Sequence, residues 1–287
     1  MPSAMPPAPP LEITPADLEN EVRAYREARV ARLTSEKGWL TLIGKVWLRP
    51  GHHRIGSAPG SEIPLPPDRA PPRVATVTLE NGAVRLDVDS SVELYARGRP
   101  VKSLEWRSDA DDQPDELTIG SLMLELIRRG ADLAIRVRDS QSAARLSFAG
   151  IPYYPIDPDW RIVARLDRFV AEREVVFDDG DRRPQLYVSP GTAVFEKAGV
   201  TCRLLPVLES DRARMFVLFA DPTNRDETYG AGRFLYAPIP EDGHIVLDFN
   251  KAFNPPCAFS PYAVCPLPPP ENRLPLRVEA GEKRPMD

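Results

Sequence analysis

The order of polar and apolar positions divides the chain into one helical stretch and a long series of short strands. Thr14-Pro15-Ala16-Asp17 places a capping hydroxyl, a proline at the first helical position and an acid in the first turn, where unpaired N–H groups and the helix dipole favour it. Leu18, Val22, Tyr25 and Leu33 then recur on one stripe flanked by charged residues, which predicts an amphipathic helix ending before Gly38. Beyond Gly38 the period shortens to alternation, in runs rich in β-branched and aromatic residues punctuated by Gly, Pro and Asn-Gly. Asn81-Gly82, between VATVTLE and AVRLDV, predicts a hairpin, because a two-residue turn of this kind needs positive φ at both central positions. Arg129-Gly130 predicts a second, between residues 122–127 and 133–137. Further strands are expected at 169–177, 185–188, 192–196, 202–208, 214–220, 234–237 and 245–249, with turns at Ser189-Pro190-Gly191-Thr192 and Lys197-Ala198-Gly199. No long amphipathic helix interrupts them, so the fold class is all-β and mainly antiparallel. The expected order is a disordered Pro-rich tail (1–13), the helix (14–37), a β-sandwich (38–140) and a second antiparallel β unit (141–287).

Composition narrows the classes of function. A formal net charge of −5 supplies no basic field for phosphate backbones, so a general nucleic-acid role is not expected. The longest apolar runs, such as residues 215–220, fall far short of the roughly 20 residues that span a bilayer, so no membrane role is expected either. MPSAMPPAPP lacks the basic and apolar regions of a signal peptide, and the odd set Cys202, Cys257 and Cys265 fits reduced thiols; both point to the cytoplasm. The acidic run SDADDQPDE (108–116) reads as a solvated loop, since it lacks the glycine and spaced ligands of a calcium loop. Nothing in the pattern sets the oligomeric state.

Several segments carry a family resemblance. Gly38-Trp39-Leu40-Thr41-Leu42, Trp47-Leu48, and Arg54-Ile55-Gly56-Ser57 ahead of Ile63-Pro64-Leu65-Pro66 resemble the opening of an uncharacterised bacterial and archaeal family, the domain of unknown function DUF1684. The run LDFNKAFNPPCAFSPYAVCPLPPPENRLPLRVEAGE is similar to that family's most recognisable block, joined by Tyr229 and Gly232-Arg233-Phe234-Leu235. This resemblance covers nearly the whole chain beyond the tail and implies no particular reaction. Within the first half, Ile-Gly-Ser, Glu-Ile-Pro-Leu-Pro and the following hairpins also resemble the strand order of a forkhead-associated (FHA) β-sandwich. That resemblance implies an architecture only. In that fold an Arg after the Ile-Gly pair and a later Ser and His frame phosphothreonine, whereas Ser57 stands at the Arg position and residues 70–75 hold neither Ser nor His.

The densest chemistry lies between Asp221 and Glu282. Asp248 and Asn250 fall on one face at the end of a strand, as an orienting pair for a ligand hydroxyl, amide or guanidinium, or as turn caps. Arg233, after Gly230-Ala231-Gly232, is the candidate anion holder, because its planar fork matches carboxylate or phosphate; its structural alternative is an ion pair with Asp248 or Glu271. Cys257 follows Pro255-Pro256 and is the candidate nucleophile, with Asp248 as its catalytic companion and His244 the only histidine near it in sequence. Tyr229, Asn250, Asn254, Glu271 and Asn272 complete the candidate ligand-binding set. His52-His53 reads as part of a surface turn, Trp160 as a buried residue between the halves, and the spacing of Cys257 and Cys265 does not suit a zinc knuckle. No metal or cofactor is expected. The sequence therefore supports a small-molecule site for a polar or anionic ligand in the C-terminal half, with hydrolysis the first reaction class to consider. The alternative is a non-catalytic interaction module in which these polar groups only pair with one another.

Overall fold

The computed structural model describes residues 13–178 and 185–285. All but the last residue of the expected Pro-rich tail lies outside them. The helix runs Pro15–Thr34 and starts as its cap residues dictate, with the Asp17 amide donating to the Thr14 hydroxyl oxygen at 3.1 Å. Its buried stripe is Leu18, Val22, Arg29 and Leu33, so a cation shares the apolar face. No described helix is long and apolar enough to cross a membrane.

The chain forms two compact units, Arg32–Phe148 and Met1–Ala31 with Ala149–Asp287. Among the described residues the first unit holds two sheets. One runs Leu42–Trp47, Asp132–Asp139, Leu122–Arg129, Glu116–Ile119, Leu94–Ala96, Arg99–Val101 from edge to edge. The other runs Ile63–Pro64, Gly51–Gly56, Ala75–Glu80, Ala83–Val88, Ser103–Glu105. Their pairings are antiparallel, apart from the short parallel contact of Gly51–Gly56 with Ile63–Pro64. Ile55, Val77 and Leu86 from one sheet and Leu117, Leu124 and Ile135 from the other share a single core, which makes the unit a sandwich. Asn81 (φ 50°) and Gly82 (φ 79°) form the predicted two-residue turn. The second hairpin turns at Gly130-Ala131, with Arg129 opposite Asp132.

One expectation in this unit needs correction. His52 and His53 lie in the strand Gly51–Gly56, not in a turn; His53 is buried with Nε2 2.7 Å from the Arg49 carbonyl, while His52 meets Thr78. The acidic run is exposed over residues 109–114, as expected of a solvated loop, and is anchored at its ends. Asp115 is buried and takes a hydrogen bond from Arg107 at 2.9 Å, and the Trp106 indole donates to the Asp115 carbonyl.

The second unit is built on a sheet ordered Arg233–Ala237, Met215–Phe219, Val207–Leu208, Gln185–Lys197, Arg161–Phe177, His244–Asp248, with Val200–Leu204 paired to Gln185–Lys197 off that path. Its core gathers Trp160, Phe195, Val217, Phe219, Leu247 and Phe249, so Trp160 belongs to this unit's interior. Ser189-Pro190-Gly191-Thr192 is not a turn: the strand runs through it. The register breaks on the opposite strand between Arg168 and Arg173, and Pro190 sits at that break, where its missing N–H costs no ladder bond. Ala198 and Gly199, both at positive φ, make the predicted turn into Val200–Leu204.

Candidate functional site

Arg233 opens a strand paired to Met215–Phe219, and its side chain is wholly buried. Nη2 donates to the Asp221 carboxylate at 3.0 Å and to the Val278 carbonyl at 2.7 Å; Nη1 donates to the carbonyl of Ala280. Asp221 also accepts the Val278 amide at 2.8 Å while its carboxylate caps the turn Pro222–Arg225. Burial pulls the Arg233 guanidinium below its ordinary value, and the Asp221 charge opposes that shift. The fork proposed for a ligand anion is thus spent on the chain's own segment 278–282, and its acidic partner is Asp221, not Asp248 or Glu271.

The other nominated polar residues likewise hold loops to strands. Asn250 exchanges hydrogen bonds with the backbone of Asp157, both at 2.9 Å, and donates to Asp248, whose carboxylate pairs with Arg161 at 3.1 Å. Asn272 accepts the Leu205 amide at 2.6 Å and donates to the Leu218 carbonyl at 2.7 Å. Asn254 donates its side-chain amide to the Lys283 carbonyl at 2.7 Å. These three asparagines are fully buried, whereas Glu271 is exposed. The Asn250 and Asn272 amides each satisfy both a backbone N–H and a backbone carbonyl and so fix their loops, whereas Asn254 Oδ1 has no partner among the described residues.

What this frame positions is a groove. Glu282 is buried, accepts the Arg29 guanidinium at 2.9 Å and the Asn254 amide at 2.7 Å, and bridges Tyr153 through its backbone. Burial raises the Glu282 carboxyl above the usual range, with Arg29 opposing. The Tyr154 amide reaches the Gly281 carbonyl at 3.0 Å, and the Lys283 amide reaches the Pro152 carbonyl at 2.8 Å. Segment 278–283, gripped by Arg233, therefore holds both the helix and residues 152–154. Between the helix and residues 153–158 lies a cavity of about 920 Å³, lined by Val30, Ala31, Pro155, Ile156, Arg26 and Tyr153 among others. The Arg26 guanidinium sits 4.3 Å from the Tyr153 ring centre and donates Nη2 to the Tyr154 carbonyl at 3.0 Å. Its Nε and the Tyr153 hydroxyl are buried without a hydrogen-bond partner among the described residues. Burial lowers the Arg26 guanidinium's pKa and raises the Tyr153 phenol's, the latter with help from Glu282. Sequence reasoning missed Arg26, Arg29, Tyr153 and Glu282. The available signals were an arginine on the helix's apolar stripe and the Tyr-Tyr-Pro run after the central sandwich.

Cys257 occupies a different place. It lies in the turn Pro256–Ala258, its amide donating to Cys265 Sγ at 3.2 Å and its carbonyl accepting the Tyr229 hydroxyl at 3.1 Å. The Cys265 thiol, then the Tyr229 hydroxyl, hold the Cys257 thiol down to about 7 against the opposing effect of burial. Burial raises the Cys202 thiol, which sits in the core. The His244 ring lies 2.9 Å from the Asp242 carbonyl at the head of its own strand. In the first unit, Arg54 is clamped by Glu62 at 3.0 Å, and Ser57 gives its amide to the Pro71 carbonyl.

Fold and site together define an all-β, mainly antiparallel protein of two units, whose C-terminal polar residues brace a groove beside the N-terminal helix. The chain belongs to the family described as protein of unknown function (DUF1684), whose model matches residues 146–283. It is similar to an uncharacterised protein of Haloarcula marismortui solved by solution NMR, at 33% identity over 48% of this chain and 78% of that one, with a TM-score of 0.41. The FHA-2 domain of a Mycobacterium tuberculosis ABC transporter is similar at 27% identity over 31% of this chain and 77% of that one, with a TM-score of 0.24. The FhaA FHA domain is similar at 17% identity over 31% of this chain and 82% of that one, with a TM-score of 0.23. No curated protein matches the chain.

Proposed function

We propose that this protein binds, without covalent catalysis, a small molecule with an anionic or strongly polar end and an apolar body, in the groove between the N-terminal helix and residues 153–158. The observation that carries the reading is the pair of buried, unpartnered polar atoms, Arg26 Nε and the Tyr153 hydroxyl, on two side chains that line a cavity of about 920 Å³. Buried polar groups are almost always hydrogen-bonded, so two unpaired donors on side chains that line a cavity support an acceptor arriving from outside, reached by a turn of those side chains. Val30, Ile156 and the prolines offer the apolar body its contact. The buried pairing of Arg233, Asn250, Asn254 and Asn272 supports a non-catalytic role for the cluster, which acts as the frame of the site. Action in the cytoplasm is part of the proposal, supported by three cysteines that carry no disulfide.

The test is thermal unfolding of the full chain with inorganic phosphate, phenyl phosphate, hexanoate and benzoate, for wild type, Arg26→Gln and Tyr153→Phe. At about 100 times Kd a native-state ligand adds about 2.7 kcal/mol, a rise of several degrees. The expected result is a rise with an anion that carries an apolar body, absent in Arg26→Gln and reduced in Tyr153→Phe. A rise of equal size in Arg26→Gln, or none with any probe, would sink the proposal and leave the interaction module as the better reading.

A further inference from the structure

The Cys257 turn plays no part in the groove, yet its geometry has the parts of a two-thiol chemistry. We infer that Cys257 and Cys265 form an oxidant-responsive site, in which a hydroperoxide oxidises Cys257 and Cys265 then closes the pair into a reversible disulfide. Pro255-Pro256 precede Cys257 and fix the backbone into the turn Pro256–Ala258, so the side chain leaves from a rigid base. The Cys257 amide donates to Cys265 Sγ at 3.2 Å, which places the second sulfur against the backbone that carries the first. A disulfide needs Cα atoms within roughly 7 Å, and a sulfur 3.2 Å from its neighbour's own amide nitrogen brings the two residues close to that reach. The Tyr229 hydroxyl donates to the Cys257 carbonyl at 3.1 Å and helps hold the turn. The two thiols also differ in access: Cys257 is partly exposed, while Cys265 is 5% exposed. That is the arrangement of an attacking thiol with a resolving one behind it.

The chemistry balances with the peroxide as the sole oxidant. The Cys257 thiolate attacks the distal peroxide oxygen, the O–O bond breaks, and the leaving alkoxide or hydroxide takes up the thiol's proton, giving sulfenic acid and an alcohol or water. The Cys265 thiol then attacks the Cys257 sulfur; the S–S bond forms, the S–OH bond breaks, and the hydroxyl leaves as water with the Cys265 proton. The pair loses two electrons and the peroxide gains them. A population of thiolate near neutral pH supports the first step, since Cys257 titrates at about 7. Cys202 serves as the internal contrast, buried in a core strand with its thiol raised by that burial.

The experiment is hydrogen peroxide treatment of the full wild-type chain at neutral pH, followed by alkylation and peptide mass mapping. The expected product is a Cys257–Cys265 cross-link about 2 Da lighter than the dithiol, reversed by a dithiol reductant, with Cys202 still alkylatable. Cys265→Ser should stop at a sulfenic acid on Cys257 that a 1,3-dione probe traps, and Cys257→Ser should give neither product. Because the main readout uses the wild-type chain, a variant that fails to fold does not decide the matter. Cys257 reacting no faster than Cys202, or going to sulfinic acid with Cys265 still alkylatable, would overturn the inference.

Discussion

At the scale of single residues, the same side chain can serve a ligand or the chain, and burial with pairing decides which. Arg233→Met should cost about 3–5 kcal/mol, because it leaves Asp221 a buried charge without its cation and strips the Val278 and Ala280 carbonyls of their donor. Urea unfolding measures this; in the Arg233→Met/Asp221→Asn double variant part of the loss should return, whereas Glu271→Gln, on an exposed side chain, should leave the midpoint where it is. Cys257 yields a pH-dependent outcome. Its thiol titrates at about 7 in the fold, below the ordinary thiol value, so the stability it contributes is fully present above that ordinary value and is lost as pH falls through about 7. Relative to Cys257→Ser, the wild type should therefore gain stability between about pH 6 and about pH 9, and its alkylation rate should rise with a midpoint near 7. A midpoint in the ordinary thiol range would show that the Cys265 and Tyr229 contacts do not persist in solution. The chemical types of these residues were legible in the sequence. Their direction was not, because the acceptors for Arg233 are carbonyls of 278–282, brought there by a segment with no periodicity of its own.

At the scale of elements, sequence specifies structure most directly where a residue type imposes a conformation and least where pairing overrides it. Asn81-Gly82 demands positive φ wherever it lies, so that hairpin followed from two residues. Ser189-Pro190-Gly191-Thr192 has equally strong turn chemistry, yet the strand continues through it. Its neighbour breaks register between Arg168 and Arg173, leaving Pro190 without a ladder bond to lose. Ser189 replaces the missing contact by donating its hydroxyl to the Pro206 carbonyl at 2.7 Å. Gly191 is required there for space: a Cβ would lie 2.5 Å from the Asp167 carbonyl oxygen and 2.9 Å from the Arg168 Cα. Gly191→Ala should accordingly destabilise the protein by about 1–3 kcal/mol, as overpacking does, since rigid backbone has to give way. Unchanged denaturant midpoints for Gly191→Ala would mean that the strands part more easily than their pairing implies. The helix makes the complementary point. Its apolar stripe was legible, but Arg29 on that stripe is a helix anchor through Glu282, and the sequence could not name a partner so far along the chain.

At the scale of the whole molecule, periodicity could not decide whether the two β halves share a core, and the structure gives each its own. Leu86 is fully buried in the cluster formed by the two sheets of Arg32–Phe148, and Leu247 is fully buried in the cluster around Phe219 and Phe249. Leu86→Ala and Leu247→Ala should each cost about 2–5 kcal/mol, the usual range for an emptied leucine site. Because the substituted side chains belong to different clusters, the losses should be local. Hydrogen exchange read by mass spectrometry should show Leu86→Ala loosening residues 75–88 while 161–177 keep their protection, and the reverse for Leu247→Ala. The groove lies within the unit that contains Leu247, so an anion bound at Arg26 should slow exchange in the helix and in residues 152–158 and offset part of the Leu247→Ala loss, leaving the Leu86→Ala loss untouched. If either substitution loosens both sets of strands equally, the two cores unfold as one, and a ligand in the groove would then stabilise the sandwich as much as its own unit.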